Sequence, residues 1–540
     1  MWTRPVIPIV VLALVCERLG CCELRLACVP AQQGVASKAA VGDPKDHLPT
    51  GAITRLGVAR DGGIRPGEAR VLFYPDGKTI VTAGAGGEVV FWEVGSGRRI
   101  RSLTGHKIVA FSPDGKLFAS KTDVKDRSIQ IYSSAHGTQI SKVPSGHGTR
   151  SFCFSSNGRS LVVGGGTQQF VQDIPAMALW ETSTGTKVID FPLRSMLNCL
   201  APSPDGKCVA TAKIARLKPI GQVWDLETGK EAWHLFEKDN AAAITAFAYR
   251  LDGRAMVSIG QAPDVCMWDT QGQKELWRIE NLKQDGALAG TFSPNGQMIA
   301  VGMPKGEVIL LEAATGRQRG HFKSETSMIF AVAISPDGLV LASMGMDGAA
   351  LLWDVTGVIR QGGAETKPLP EKALDTHWHN LAREDAAKAW EAICALVICP
   401  KQSVPFIMTS LVARKALLAP TRLKELLGNL DSDDFVMRQE ASRQLHELGP
   451  AVGAALRAFE KEASSPEAKR RAKELLAQIP KSGIVEDELL SCRCCEILEY
   501  IGTPLAQEAL ELESRGDPQA PLAKHAKAAL DRLRRRTSSP

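Results

Sequence analysis

A multidomain β plus α chain, in which a closed ring of four-stranded antiparallel sheets precedes a helical repeat region, is the fold class this sequence predicts. Three observations carry it. A turn element recurs seven times between residues 74 and 338, an aromatic or leucine anchor follows every turn, and from Glu371 onward the apolar spacing becomes helical.

The turn elements are Tyr74-Pro-Asp-Gly77, Ser112-Pro-Asp-Gly115, Ser155-Ser-Asn-Gly158, Ser203-Pro-Asp-Gly206, Arg250-Leu-Asp-Gly253, Ser293-Pro-Asn-Gly296 and Ser335-Pro-Asp-Gly338. Their glycines lie 38, 43, 48, 47, 43 and 42 residues apart. Proline presets the second backbone angle of a type I turn, Asp or Asn accepts a local hydrogen bond, and glycine tolerates the exit geometry. Each turn therefore joins two antiparallel strands.

The anchors Trp92, Tyr132, Trp180, Trp224, Trp268, Leu311 and Trp353 follow their turns by 15 to 22 residues. Two short strands fit between turn and anchor, as in 339–344 and 349–353 around the hairpin Asp347-Gly348. One such sheet cannot bury both faces, so seven must stack in a ring, a seven-bladed β-propeller. Closure needs an outer strand from the other end of the array, and 52–57 is placed to complete the blade ending near Gly357.

Trp224-Asp225, Trp268-Asp269 and Trp353-Asp354, with Gly105-His106, Gly146-His147, Gly320-His321 and the turns, resemble WD40-repeat proteins over roughly 300 residues. The resemblance implies a hydrogen-bonded structural network of His, a strand Ser or Thr, a hairpin Asp and Trp inside a blade. The last blade matches it throughout with His321, Ser343, Asp347 and Trp353, while the blades of Asp126 and Asp264 lack part of the set. Trp92, Trp180, Trp224 and Trp268 are the corresponding blade anchors. Buried polar groups satisfied by one another account for His321 and Asp347 without catalysis.

Propeller enzymes converge carboxylates, His or Arg on the central channel to hold a metal or cofactor. The segments leading into the seven turns contain no Asp, Glu or His and offer Arg70 alone. No catalytic, cofactor-binding or metal site is expected, and no cofactor. Trp233 and Trp277, each nine residues past an anchor, are expected to pack between blades.

A Gln/Gly/Lys/Pro stretch at 358–370 reads as a connector, and 371–536 as helical. Asp431-Ser-Asp433, Ser465-Pro466, Thr503-Pro504 and Asp517-Pro518 are helix starts. Leu423, Leu426, Leu427 and Leu430 form an apolar stripe, and Leu445 with Leu448 another. An offset of about 53 residues superposes the segment ending at Gly449 on that ending at Gly502, a degenerate helical repeat. The region resembles HEAT-like repeats, and the order of propeller and helical part resembles a bacterial family of WD40 proteins. Residues 537–540 are a tail.

The chain has 540 residues with 65 Lys+Arg against 59 Asp+Glu, too thin a positive excess for a polyanion-binding protein, so no nucleic-acid partner is expected. From Glu371 onward the counts are 25 and 25, leaving 40 against 34 before it. Arg4 precedes the apolar run Val6 to Cys16, the order of a signal peptide, placed at 1–31 and followed by a linker at 32–50. The run is too short to span a bilayer as a mature helix. Processing there implies an exported or envelope-associated protein, and its absence a cytoplasmic one.

The 13 cysteines lack the regular spacing of a disulfide scaffold. Cys492, Cys494 and Cys495 with Cys394 and Cys399 show no zinc-knuckle pattern and read as buried thiols. His377-Trp-His379 reads as a packing segment, Arg532 with Arg534 to Arg536 as a solvated tail, and Gly84 to Gly87 and Gly164 to Gly166 as hairpin glycines. The expected function is a monomeric, non-catalytic scaffold whose propeller rims and helical surface bind proteins or peptides. An exported propeller hydrolase or small-ligand sensor is the alternative.

Overall fold

The computed structural model describes residues 48–57, 69–84, 87–106, 108–121, 128–145, 149, 151–164, 177–193, 197–213, 220–235, 244–260, 265–282, 286–326, 328–361, 367–478 and 486–538. The expected signal peptide at 1–31, nearly all of the expected 32–50 linker, His147, Asp126, Asp264 and part of the 358–370 connector lie outside these residues.

Seven four-stranded antiparallel sheets form the blades, each meandering from an inner strand outward. In chain order the inner strands of blades one to seven are Arg70–Phe73, Ile108–Phe111, Ser151–Phe154, Leu197–Pro202, Ile244–Tyr249, Ala289–Phe292 and Ile329–Ile334. All seven turns close with the glycine N–H donating to the carbonyl three residues back, as from Gly338 to Ser335 at 2.8 Å. The seven turn glycines have φ from 65° to 80°, the left-handed region that disfavours any other residue. Where the turn begins with serine, its Oγ donates to the Asp or Asn two residues on and accepts the N–H five residues on. In blade two these are Asp114 at 2.6 Å and Leu117 at 2.9 Å.

Ala52–Leu56 closes the ring as the fourth strand of blade seven, pairing with Ala350–Asp354 in the register Ala52 to Trp353 and Leu56 to Ala350. Apolar faces then bury against the next blade: Val71 and Ile80 of blade one meet Val340, Ala342 and Leu352 of blade seven. Trp277 packs beneath the Gly316 turn of blade six and donates to the Ala313 carbonyl at 3.0 Å. Trp233 stands edge-on to Trp268 at 6.0 Å, so both outer tryptophans join neighbouring blades.

Among the described residues ten α-helices follow: α1 Glu371–Ala382, α2 Ala386–Ile398, α3 Pro400–Leu418, α4 Pro420–Asn429, α5 Phe435–Leu448, α6 Gly453–Glu462, α7 Pro466–Gln478, α8 Glu486–Ile501, α9 Pro504–Ser514 and α10 Pro521–Ser538. Asp434 caps α5 by accepting from Val436 N at 2.7 Å, and Thr503 caps α9. The repeat offset is visible as order: α5 and α8 each end at a positive-φ glycine, Gly449 and Gly502, and each is followed by two further helices. The predicted start at Asp517-Pro518 is corrected to Pro521, because Asp517 bonds Gln519 N in a turn before the helix.

The connector leads to a domain that shares a core with the ring. Met298, Leu310, Leu341 and Trp353 of blades six and seven belong to one apolar cluster with Trp390, Ile393, Leu490, Ile497 and Tyr500. Helix α8 is buried on nearly every side. It crosses the turn ends of two blades: the Cys492 thiol donates to Gln297 Oε1 at 2.7 Å, and a Cβ on Gly338 would lie 2.9 Å from the Tyr500 ring. Two of the terminal arginines are not solvated: Arg532 and Arg536 in α10 pair with the buried Glu499 at 2.7 and 2.9 Å, whereas Arg534 and Arg535 are exposed.

Candidate interaction surfaces

Strand direction defines two faces of the ring. Every inner strand runs toward its Pro-Asp-Gly turn, so these turns, and those joining third to fourth strands, lie on one face. The opposite ends of the strands define the other face. Helix α8 reaches Gln297 and Gly338 on the turn face, so at blades six and seven that face is covered. The opposite face carries the Lys305-Gly306 and Asp347-Gly348 hairpins, with Met346 41% exposed.

How the helical domain is fixed to one wall of the ring follows from a recurring bulge. The outer strand of every blade skips one residue in its pairing: Ile100, Ile140, Val188, Ala232, Leu276 and Arg319 in blades one to six, and Ile53 in blade seven. Ile100, Ile140, Val188 and Leu276 are 45–54% exposed, whereas Arg319 is 3% exposed beneath α2 and α8. Arg319 donates to both carboxylate oxygens of Glu496, at 2.8 and 3.0 Å, and to Glu312 at 3.1 Å. Arg493 holds Glu312 at 2.9 and 3.0 Å and also donates to the carbonyls of Leu381 and Arg383. Two cations and two anions thus neutralise one another in a dry interface. Burial opposes ionisation of Glu312, yet the two guanidiniums outweigh it and hold its carboxyl below the usual value. Sequence reading missed this set because Glu312 and Arg319 lie 174 to 184 residues from Arg493 and Glu496 in the chain. The visible signal is an arginine where other blades place an apolar residue.

Inside the blades, Trp353 Nε1 donates to Ser343 Oγ at 2.8 Å. Asp347 lies in the neighbouring hairpin and accepts from Ala349 N at 3.3 Å, and burial raises its carboxyl pKa. His321 corrects the expected network: it is exposed on the outer strand of blade six, opposite Ile309. That strand continues through Lys323, which puts Gly320-His321 four residues short of the position held by Gly105-His106 in blade two. There His106 Nδ1 lies 2.8 Å from Ser120 Oγ, and the ring stands edge-on to Phe118 and Tyr132.

A hydroxyl five residues after the turn glycine accompanies the tryptophan. Trp92 donates to Thr82 at 2.9 Å, Trp224 to Thr211 at 3.2 Å and Trp268 to Ser258 at 2.9 Å. Blade six has Val301 and Leu311, both apolar and buried. Blade three has Val163 with Trp180, whose buried Nε1 finds no acceptor among the described residues. Val163→Thr should therefore stabilise the protein by about 1 kcal/mol, the usual net value of a buried hydrogen bond. Chemical denaturation checks this, and a loss of stability would show that Trp180 cannot reach the new hydroxyl.

Arg70 opens the inner strand of blade one and donates to the Ala69 carbonyl at 2.9 Å. Among the described residues no group of three or more His, Cys, Asp or Glu could hold a metal ion. Cys394 and Cys494 are pushed up to about 12 by burial, which keeps the thiols protonated. His377 and His379 lie on α1, where Trp378 stands edge-on to Phe406 at 6.1 Å.

A family model described as WD domain, G-beta repeat matches residues 315–354. The chain is similar to Transcription factor unc-37 of Caenorhabditis elegans, 26% identical over 209 residues, 38% of this chain and 31% of that protein. Protein LST8 homolog of Drosophila melanogaster is 26% identical over 181 residues, 33% of this chain and 56% of its own length. The serine-threonine kinase receptor-associated protein of Dictyostelium discoideum is 25% identical over 284 residues, 52% of this chain and 91% of its own. The match thus spans less than two thirds of the first two relatives.

Proposed function

From a seven-bladed propeller whose residues 315–354 match the WD-domain model, with a helical domain appended, we propose that this chain is a non-catalytic scaffold that binds another protein or peptide on the face of its ring that α8 does not cover. The observation carrying this reading is the asymmetry of the two faces. Helix α8 occupies the turn ends of blades six and seven, while among the described residues of the opposite face the Asp347-Gly348 hairpin carries the exposed Met346. Rigid repeats that display variable loops suit recognition of partners. The Dictyostelium relative is named for association with a serine-threonine kinase receptor, a protein-binding role of the same class.

The test is affinity capture with the tagged full chain from the cells that produce it. One partner, identified by mass spectrometry, should be enriched, and Met346→Glu should reduce its recovery about tenfold, the loss of roughly 1.4 kcal/mol that desolvating a charge at a contact exceeds. Equal recovery by both proteins, or no specific partner, would reject the open face as the binding surface.

A further inference from the structure

We propose that Arg70 is a carboxylate-recognition point at the mouth of the channel, taking one acidic group of the bound protein or peptide. The proposal rests on the scaffold reading and adds the chemistry of what is bound.

Arg70 is the only charged residue in the seven inner strands. It is the first residue of its strand, so it stands at the end away from the Tyr74 to Gly77 turn, on the face that α8 leaves open. Counting back four residues from each turn, the equivalent positions are Ile108, Ser151, Cys199, Ala246, Ala289 and Ala331, five of them small. A guanidinium offers five N–H donors. Among the described residues its hydrogen bond is the single one to Ala69 O, made within its own backbone neighbourhood.

Comparison with Arg319 shows what is missing. Both arginines are deep in the protein, and burial disfavours the charge of each. At Arg319 the carboxylates of Glu496 and Glu312 reverse that effect and raise the pKa. At Arg70 no anion among the described residues opposes burial, and the pKa is lowered. Arg70 nevertheless stays partly accessible, as expected for a group on a channel wall. An uncompensated cation in such a place disfavours folding, and a site that breaks the local rule in this way marks a ligand contact. One planar guanidinium with no second cation in the inner strands matches one carboxylate, bound through two parallel N–H donors, better than a dianion.

The test uses the full chain in a buffer of bulky weak anions. Thermal unfolding is followed while sodium glutarate is added, with sodium chloride at matched ionic strength as control. The unmodified chain should gain about 2 °C at saturating glutarate. Arg70→Met should unfold no lower than the unmodified chain without glutarate and lose the glutarate-dependent rise. Peptides carrying either an internal Glu with an amidated end or a free C-terminus without Glu then separate the two sources of carboxylate. A glutarate response that survives Arg70→Met, or destabilisation by Arg70→Met as large as by Arg319→Met, overturns the proposal. The unfolding measurements need no partner, so failed capture in the preceding test would strike the scaffold reading and leave this result to stand alone.

Discussion

Arg319→Met should destabilise the protein by about 3–5 kcal/mol, because Glu496 would then sit buried without the cation that two hydrogen bonds tie to it. Typical domains have a total stability of only about 5–15 kcal/mol, so the variant should be close to unfolding at physiological temperature. Urea unfolding measures the loss. Adding Glu496→Gln should recover a substantial part of it, since removing both charges relieves the desolvation that removing one exposes. If the double variant is as unstable as the sum of the singles, the pair is not coupled as described. Acid gives an independent reading. The folded-state pKa of Glu312 lies below the ordinary 4.5, so its contribution is complete above that value and is lost as pH falls through the lowered one. Arg319→Met removes one of the two cations responsible, and its acid unfolding midpoint should move to higher pH.

Trp353→Ala should cost a similar amount, about 3–5 kcal/mol, by a different route. The indole is fully buried, stacks on Phe322 at 5.1 Å and satisfies Ser343. Its truncation opens a cavity where blade seven, the closing strand and the helical domain share one apolar cluster. Trp92→Ala, on a partly exposed anchor, should cost less, and calorimetry on the two variants orders them. Equal effects would mean that blade seven is no more strongly coupled to its surroundings than blade one.

The ring was legible because its signals are local. A Pro-Asp-Gly turn, an Asp-Gly hairpin and an anchor tryptophan each specify backbone within a few residues, and seven copies remove the ambiguity of any one. Closure by 52–57 followed from the need to cover an edge, and Ala52–Leu56 occupies that place. The strand register was not legible, and the error at His321 shows why. Gly320-His321 has the right composition, but the outer strand runs on for two residues past His321, which a two-residue match cannot reveal. The hydroxyl partners of the tryptophans were within reach, since they recur at a constant distance from the turn glycine. The docking of the two parts was not. It depends on Glu312, Arg319, Arg493 and Glu496 meeting in space, and a charged residue in a list of strands looks like a solvated one. Arg532 and Arg536 of the basic C-terminal run were misread for the same reason, as Glu499 is hidden within a helix that local pattern cannot show to be buried.

The strand that completes blade seven is made about 300 residues before its partner at Ala350–Asp354. During synthesis at the ribosome it must wait with an unsatisfied edge while six sheets emerge, and it finds its mate only when the seventh leaves the exit tunnel. Even then the outer wall of the last two sheets is greasy until another 150 residues or so arrive to cover it. Nascent chains truncated just after residue 361 should accordingly be the ones that chaperones retain longest.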